Sequence, residues 1–351
     1  MSLNSVMRWL PVLLCSSLLT AEAAGNFSTP GKPPAGGRTF QNSPCGSPFQ
    51  YNLSVDILYW GAKEHRLNYA NQFLSYLRTT DFTLSPLLKP KFSSSVGARG
   101  AFARMAKGEG FGFVIKDTYI KNSFLEHLNT GTILTTVDDN SPAFFPVQSM
   151  ASSLLSTDSV FAASSKWTAF VNLIDALATY RLCIGSKLSY TPFAGLRSAW
   201  VDQTNDVQYS GGMFATGTDE IEIKNNYWGA GPSAGIRFDI HPSEWWNVGI
   251  GGSLSALLGQ FHIRQQEAYF NRVQFYSDQH TFKARWIADA QVGARGYIPI
   301  VRDKYRIGIE AGYDFLFLPG QSQWKENSFN LLSSNRSLSF FGWFFSAHFQ
   351  W

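Results

Sequence analysis

The sequence predicts an all-β protein, a transmembrane antiparallel up-and-down β-barrel of about ten strands with short periplasmic turns and long external loops. Three observations carry this expectation. The chain ends in an alternating apolar strand that closes on Trp351. It is poor in charge and rich in aromatics and Gly. Its strand connections alternate between long and short.

Of 351 residues, 44% are hydrophobic, 15% aromatic and only 15% charged, and 30 are Gly. Soluble domains carry roughly 25% charged residues, so this balance argues against an ordinary cytosolic enzyme. It suits a barrel with an apolar lipid face and a polar lumen. The formal charge of +4 is small and no Lys/Arg-dense block occurs, so nucleic acid is not an expected partner.

The first residues read as an export signal. Arg8 supplies a positive start, Trp9 to Leu19 an apolar run, and Ala21-Glu22-Ala23 a small-x-small cleavage site. The run is too short for a membrane anchor, which needs roughly 20 apolar residues. Leu14 before Cys15 lacks the small residue of a lipoprotein signal. The expected organisation is a signal peptide at 1–23, a flexible Gly/Pro-rich periplasmic segment at 24–50 and a barrel at 51–351. No later stretch is long enough for a membrane helix, so a membrane location requires a closed barrel.

Strands are read from period-two alternation, because side chains alternate faces along a strand. Leu53, Val55, Ile57 and Tyr59 oppose Ser54, Asp56 and Leu58, and Val96, Ala98 and Phe102 oppose Arg99. Further strands are expected near Phe111 to Lys121, Trp167 to Arg181 and Lys187 to Val201. Trp228, Ala230, Ala234, Ile236, Phe238 and Ile240 oppose Ser233, Arg237 and Asp239. Trp246, Val248, Ile250, Leu254 and Leu258 oppose Asn247, Ser253 and Ser255. Trp286, Ala288 and Val292 oppose Arg285, Asp289 and Arg295. Tyr305, Ile307, Ile309, Tyr313 and Phe315 oppose Arg306, Glu310 and Asp314. In the last strand Phe341, Trp343, Phe345, Phe349 and Trp351 oppose Phe344, Ser346 and His348. Long links are expected at 62–92, 122–166, 202–224, 264–283 and 318–336. Short turns are expected near 107–110, 184–186, 241–244 and 299–302.

With the apolar face toward lipid, the lumen receives Arg99, Asp175, Arg197, Arg237, Asp239, Arg285, Asp289, Arg295, Arg306, Glu310 and Asp314. Rings of such residues tune ion preference in channels, which gives a porin-type path with a weak anion preference. The same residues could instead pair and fill the lumen, since eight strands are already just filled by side chains. Trp60, Trp200, Trp228, Trp246, Trp286 and Trp343 are expected at the interfacial girdles or on the lipid face. An enzyme is not expected. No GxSxG, HExxH, Walker or EF-hand pattern is present. His65, His127, His241, His262, His280 and His348 read as loop, rim or lumen residues. Asp138-Asp139 near His127 is a weak pattern for catalysis or a cation. No cofactor or metal is expected. The alternative to a porin is a closed structural or adhesive barrel working through the loops at 62–92 and 122–166.

Four segments resemble the major-outer-membrane-protein-like pore-forming proteins of legionella-type and environmental chlamydia-type bacteria. They are Val55-Asp56-Ile57-Leu58-Tyr59-Trp60, the run from Pro192 to Gln203, Lys224 to Gly231, and Leu257-Leu258-Gly259-Gln260-Phe261. The resemblance covers most of the chain after the signal, although 122–166 has no counterpart. It implies an outer-membrane barrel with porin activity and supplies no catalytic residue. Cys45 and Cys183 both fall on the expected periplasmic side. The chlamydial side of the resemblance implies that they pair with each other or cross-link to envelope proteins, and two free thiols are the other outcome. The expected partners are outer-membrane lipid, a second copy of the chain and the barrel-assembly machinery, whose recognition signal the aromatic end Phe349 and Trp351 resembles.

Overall fold

The computed structural model describes residues 50–64, 70–73, 87–88, 94–105, 109–129, 143–146, 162–185, 187–211, 217–243, 245–269, 272–300, 305–324 and 334–351. The export signal, nearly all of segment 24–50, Cys45, His65 and Asp138-Asp139 lie outside them.

Ten strands close into one barrel: β1 (Tyr51–Glu64), β2 (Ser94–Arg104), β3 (Gly110–Asn129), β4 (Ala162–Ile184), β5 (Leu188–Ser210), β6 (Thr218–Ser243), β7 (Trp246–Tyr269), β8 (Arg272–Ile300), β9 (Tyr305–Trp324) and β10 (Ser334–Gln350). Each pairs antiparallel with its chain neighbours, and β1 closes on β10 from Asn52↔Gln350 to Glu64↔Leu338. Closure leaves no unpaired edge, which is the condition for a sheet to sit in lipid. A small three-stranded sheet joins Leu87–Leu88, Ala70–Phe73 and Ala143–Pro146.

The pleat sorts the side chains as the alternation predicts. On β1, Val55, Ile57 and Tyr59 are exposed, while Asp56 and Leu58 are buried in the lumen. On β10, Trp343 and Phe345 face out, while Phe340, Phe344, Ser346 and His348 face in. Both described ends of the chain, Gln50–Tyr51 and Trp351, meet at the end that carries the short turns. In outer-membrane barrels that end is periplasmic.

The four expected short turns are present between β2 and β3, β4 and β5, β6 and β7, and β8 and β9. At the β4–β5 turn Gly185 takes the left-handed conformation (φ 68) that the reversal needs.

Two expected long loops are instead strand. Segment 202–224 is mostly the far ends of β5 and β6, paired from Asp202↔Asn226 to Ser210↔Thr218. Segment 264–283 is the far end of the β7–β8 hairpin, paired to Tyr269↔Arg272. The long–short alternation therefore fails at this link. Segments 62–92, 122–166 and 318–336 are also trimmed, because β1 runs to Glu64, β3 to Asn129, β4 from Ala162, β9 to Trp324 and β10 from Ser334. The physical reason is solvent. β4 to β8 have 23, 23, 26, 24 and 29 residues, whereas crossing lipid takes roughly 9–11. Beyond the lipid the outward positions turn polar and the sequence alternation fades. The backbone ladder continues because every N–H and C=O still needs a partner.

Candidate functional site: the barrel lumen

Inward positions on neighbouring strands stack charges at one height. Lys116 on β3, Asp175 on β4 and Arg197 on β5 are successive register partners. Lys116 Nζ lies 3.0 Å from Asp175. Arg197 donates to both Asp175 oxygens, at 2.5 and 3.1 Å. Its third contact crosses the lumen to Asp289 on β8, three strands away round the ring, at 2.6 Å. Asp289 also accepts from Ser253 at 2.5 Å.

Arg99 builds the opposing half of this layer. It pairs with its register partner Asp56 on β1 and crosses to Asp314 on β9 at 2.8 Å. Its guanidinium carbon also sits 5.2 Å from the centre of the Phe344 ring, inside cation–π range. The two arginines thus bridge the barrel along two chords. Trp60, Arg99, Lys116, Arg197, Asp289 and Asp314 help line a cavity of about 30 Å³ between them, which is room for about two waters.

Nearer the short turns a second layer centres on Glu310. Its register partner Arg295 donates from Nε at 2.7 Å. Arg237 reaches it at 3.5 Å while also holding Asp239 at 2.9 Å. His348 Nε2 is 3.0 Å from Glu310 and 2.9 Å from Ser346 Oγ, and Ser346 donates to Asp56 at 2.5 Å. This chain of contacts ties the two charged layers together. An inward glycine makes room for the Arg237–Asp239 pair: a methyl at Gly249 would collide with the Arg237 guanidinium and the Asp239 carboxylate.

Above the charged layers, toward the outer end, the described lumen is filled by aromatic and apolar side chains interleaved with buried polar ones such as Asn122, Gln203, Asn205 and Asn225. Trp167, Tyr209, Tyr227, Phe261 and Phe340 are all essentially inaccessible. The rings of Tyr227 and Phe261 lie 4.6 Å apart. Arg285 caps this region with its guanidinium carbon 5.2 Å from the Phe261 ring centre.

Ten of the expected lumen residues therefore meet in contacts inside the barrel. Arg306 is half-buried on the inward face of β9, beside the short turn. Asp56, Lys116, Ser346 and His348 share the same inward face and join these contacts, although they are not among the expected lumen residues. Of the tryptophans, Trp228, Trp246, Trp286 and Trp343 stand on the outer surface, and Trp200 is the cross-strand partner of Trp228. Trp60 is a correction. It is 3% exposed and packs inside the barrel 6.4 Å from Phe340. Trp60 shares the face of Asp56 and Leu58, so the pleat places it in the lumen whatever its affinity for interfaces. His262 and His280 lie on neither rim nor lumen but on the outward face of the β7–β8 extension. Cys183, beside the β4–β5 turn, is disulfide-bonded, and its partner lies outside the described residues.

A closed antiparallel ring, an apolar outer face and a polar, ion-paired interior define an outer-membrane β-barrel. The chain belongs to the family of the Legionella pneumophila major outer membrane protein precursor, which it matches over residues 42–351. Its location is accordingly the bacterial outer membrane. No curated protein matches the chain in sequence. Among solved structures it is similar to the outer membrane protease OmpT from Escherichia coli, at 10% identity over 87% of this chain and 97% of that one, with a TM-score of 0.47. It is also similar to the Pseudomonas putida toluene transporter TodX, at 8% identity over 88% and 92% of the two chains and a TM-score of 0.27. A Pseudomonas aeruginosa FadL homologue gives 8% identity, 89% and 93% coverage and a TM-score of 0.26.

Proposed function

We propose that the protein is a closed structural barrel of the outer membrane, without a catalytic step, that works through its external end. The observation carrying this reading is the pair of arginine chords, Arg197 to Asp289 and Arg99 to Asp314, beneath an outer lumen occupied by buried aromatic and polar side chains. A diffusion pore needs a continuous wet path. Here the charges that would line it are spent on one another, and the gap left between them has room for about two waters. The surface tryptophans Trp228, Trp246, Trp286 and Trp343 serve as lipid-interface anchors in this reading.

Porin-type passage of small ions is the second reading. The favouring observation is that, among the described residues, the closure is made of side chains, so that rotamer changes at Arg99 and Arg197 would connect the central cavity to both ends. Its weak anion preference would come from the arginines once freed. Planar-bilayer recording of refolded protein separates the two. Silence at the wild type, with conductance steps appearing in an Arg99→Ala/Arg197→Ala variant, supports the closed barrel. Stable steps from the wild type overturn it, and clear cation preference in those steps would remove the anion reading as well.

A further inference from the structure

On the external extension of the β7–β8 hairpin, His262 and His280 are direct cross-strand partners, and their rings stack with centres 4.2 Å apart. Asp278 stands one diagonal step away on the same outward face, opposite Arg264. Ligand atoms of the three side chains lie within 4.8 Å of one another. The rung below pairs Gln260 with Phe282, and the lipid-facing Leu258 and Trp286 lie lower still. The cluster is thus outside the apolar belt and open to solvent.

We propose that His262, His280 and Asp278 form a surface site for a transition-metal dication of the zinc type.

The division of the carboxylate is the main support. Asp278 Oδ1 faces both imidazoles, at 2.8 Å from His262 Nε2 and 3.8 Å from His280 Nε2. Tyr276 donates its hydroxyl to the other oxygen, Oδ2, at 3.1 Å, and Arg264 donates to it at 3.4 Å. One oxygen is therefore anchored and the other presented, as outer partners commonly orient a metal ligand. Bond lengths of about 2.0–2.2 Å in a tetrahedral shell put donors roughly 3.3 Å apart. The two observed separations to Oδ1 bracket that value, so small rotamer changes bring the three atoms onto one ion.

A dication can take both stacked imidazoles as ligands at once. Imidazole nitrogens select zinc, copper or nickel over magnesium and calcium. Gln260 Nε2 lies 3.5 Å from His280 Nδ1; with the amide turned over, its oxygen would accept the proton of that nitrogen and leave Nε2 for the metal. Three protein ligands leave a fourth position open to water or to a donor from outside the cell.

The test uses the full chain refolded in detergent micelles, with Zn²⁺ titrated against a chromophoric indicator. One Zn²⁺ per chain is expected. Binding should weaken at least tenfold in His262→Gln and in His280→Gln, and less in Asp278→Asn. His127→Gln, a change at an exposed histidine on another strand, should bind as the wild type does. Co²⁺ in place of Zn²⁺ should give the intense visible absorption of a low-coordinate site, lost in the same variants. Unaltered heat-modifiable mobility on gels shows that each variant folds. Absence of Zn²⁺ binding, or binding by either histidine variant as tight as that of the wild type, overturns the proposal.

Discussion

Arg197 and Asp175 are register partners on β5 and β4, and they share a two-pronged ion pair with oxygen contacts of 2.5 and 3.1 Å, both side chains almost wholly inaccessible. Two buried charges are costly to desolvate, and their attraction repays this only when every remaining donor and acceptor is used. Here Lys116 and Asp289 take up that remainder. Asp175→Asn should therefore cost about 3–5 kcal/mol, the usual penalty for stranding one member of a buried pair. Joint replacement with Arg197→Gln should cost less than the sum of the two single changes. Urea unfolding of the refolded barrel, followed by tryptophan fluorescence, measures all three. Additive costs would show that the pair does not act as a unit.

Gly249 makes a separate prediction about how the lower charged layer is packed. Its missing side chain is the space that Arg237 and Asp239 occupy, and Arg237 cannot swing away without releasing Asp239 and Glu310. Gly249→Ala should destabilise the barrel by about 1–3 kcal/mol, the usual cost of overpacking. Gly296, where an added methyl meets nothing within 4 Å, should accept Ala with little change. Equal effects at the two glycines, read in the same unfolding assay, would dissociate the Arg237 network from stability.

The lumen face was legible in the sequence because strand parity is strict. Once Ile57 and Tyr59 face lipid, Asp56 and Trp60 must face inward. For Trp60 the preference of its residue type for membrane interfaces points outward, and the parity of the strand overrides it. What stayed hidden was height. Alternation gives the face of Arg197 and of Asp289, but their meeting across the barrel depends on the stagger of strands between β5 and β8, which no single strand encodes. The external extensions were hidden for a different reason. Past Trp200 the outward residues Asp202, Thr204, Asp206 and Gln208 become polar, so both faces of the strand read alike while the backbone pairing goes on. Asp278 and His280 of the proposed metal site sit in such an extension, within the expected 264–283 loop, for the same reason.

The disulfide at Cys183 gives a prediction that is independent of the lumen. Of the chain's three cysteines, Cys15 lies within the expected export signal. Cys45 is therefore the expected partner of Cys183 in the exported protein, closing the segment before β1 onto the β4–β5 turn. Peptide mapping of unreduced protein should recover a Cys45–Cys183 cross-linked peptide. Cys45→Ser should leave Cys183 reactive to maleimide. Recovery of Cys183 in a link to another envelope protein would replace the intramolecular bond with an intermolecular one.

The end of the chain carries the last prediction. Trp351 O accepts from the backbone N–H groups of Gln50 and Tyr51 at 3.1 Å each, and Trp351 N donates to Tyr51 O at 3.2 Å. Its indole stacks on the Tyr51 ring at 5.6 Å and meets Phe349 at 5.4 Å. These contacts start the β1–β10 seam, the one pairing in the ring between strands distant in sequence. Closing so long a loop has to be stabilised by contacts at the join. Deleting Phe349 to Trp351 removes the Leu53↔Phe349 and Asn52↔Gln350 rungs together with the aromatic end that the assembly machinery is expected to read. The truncated chain should fail to reach the outer membrane, scored by surface labelling and by loss of heat-modifiable mobility. Trp351→Phe keeps an aromatic terminus and the backbone bonds, so it should insert normally. Correct surface display of the truncation would separate this end of the chain from barrel closure and assembly alike.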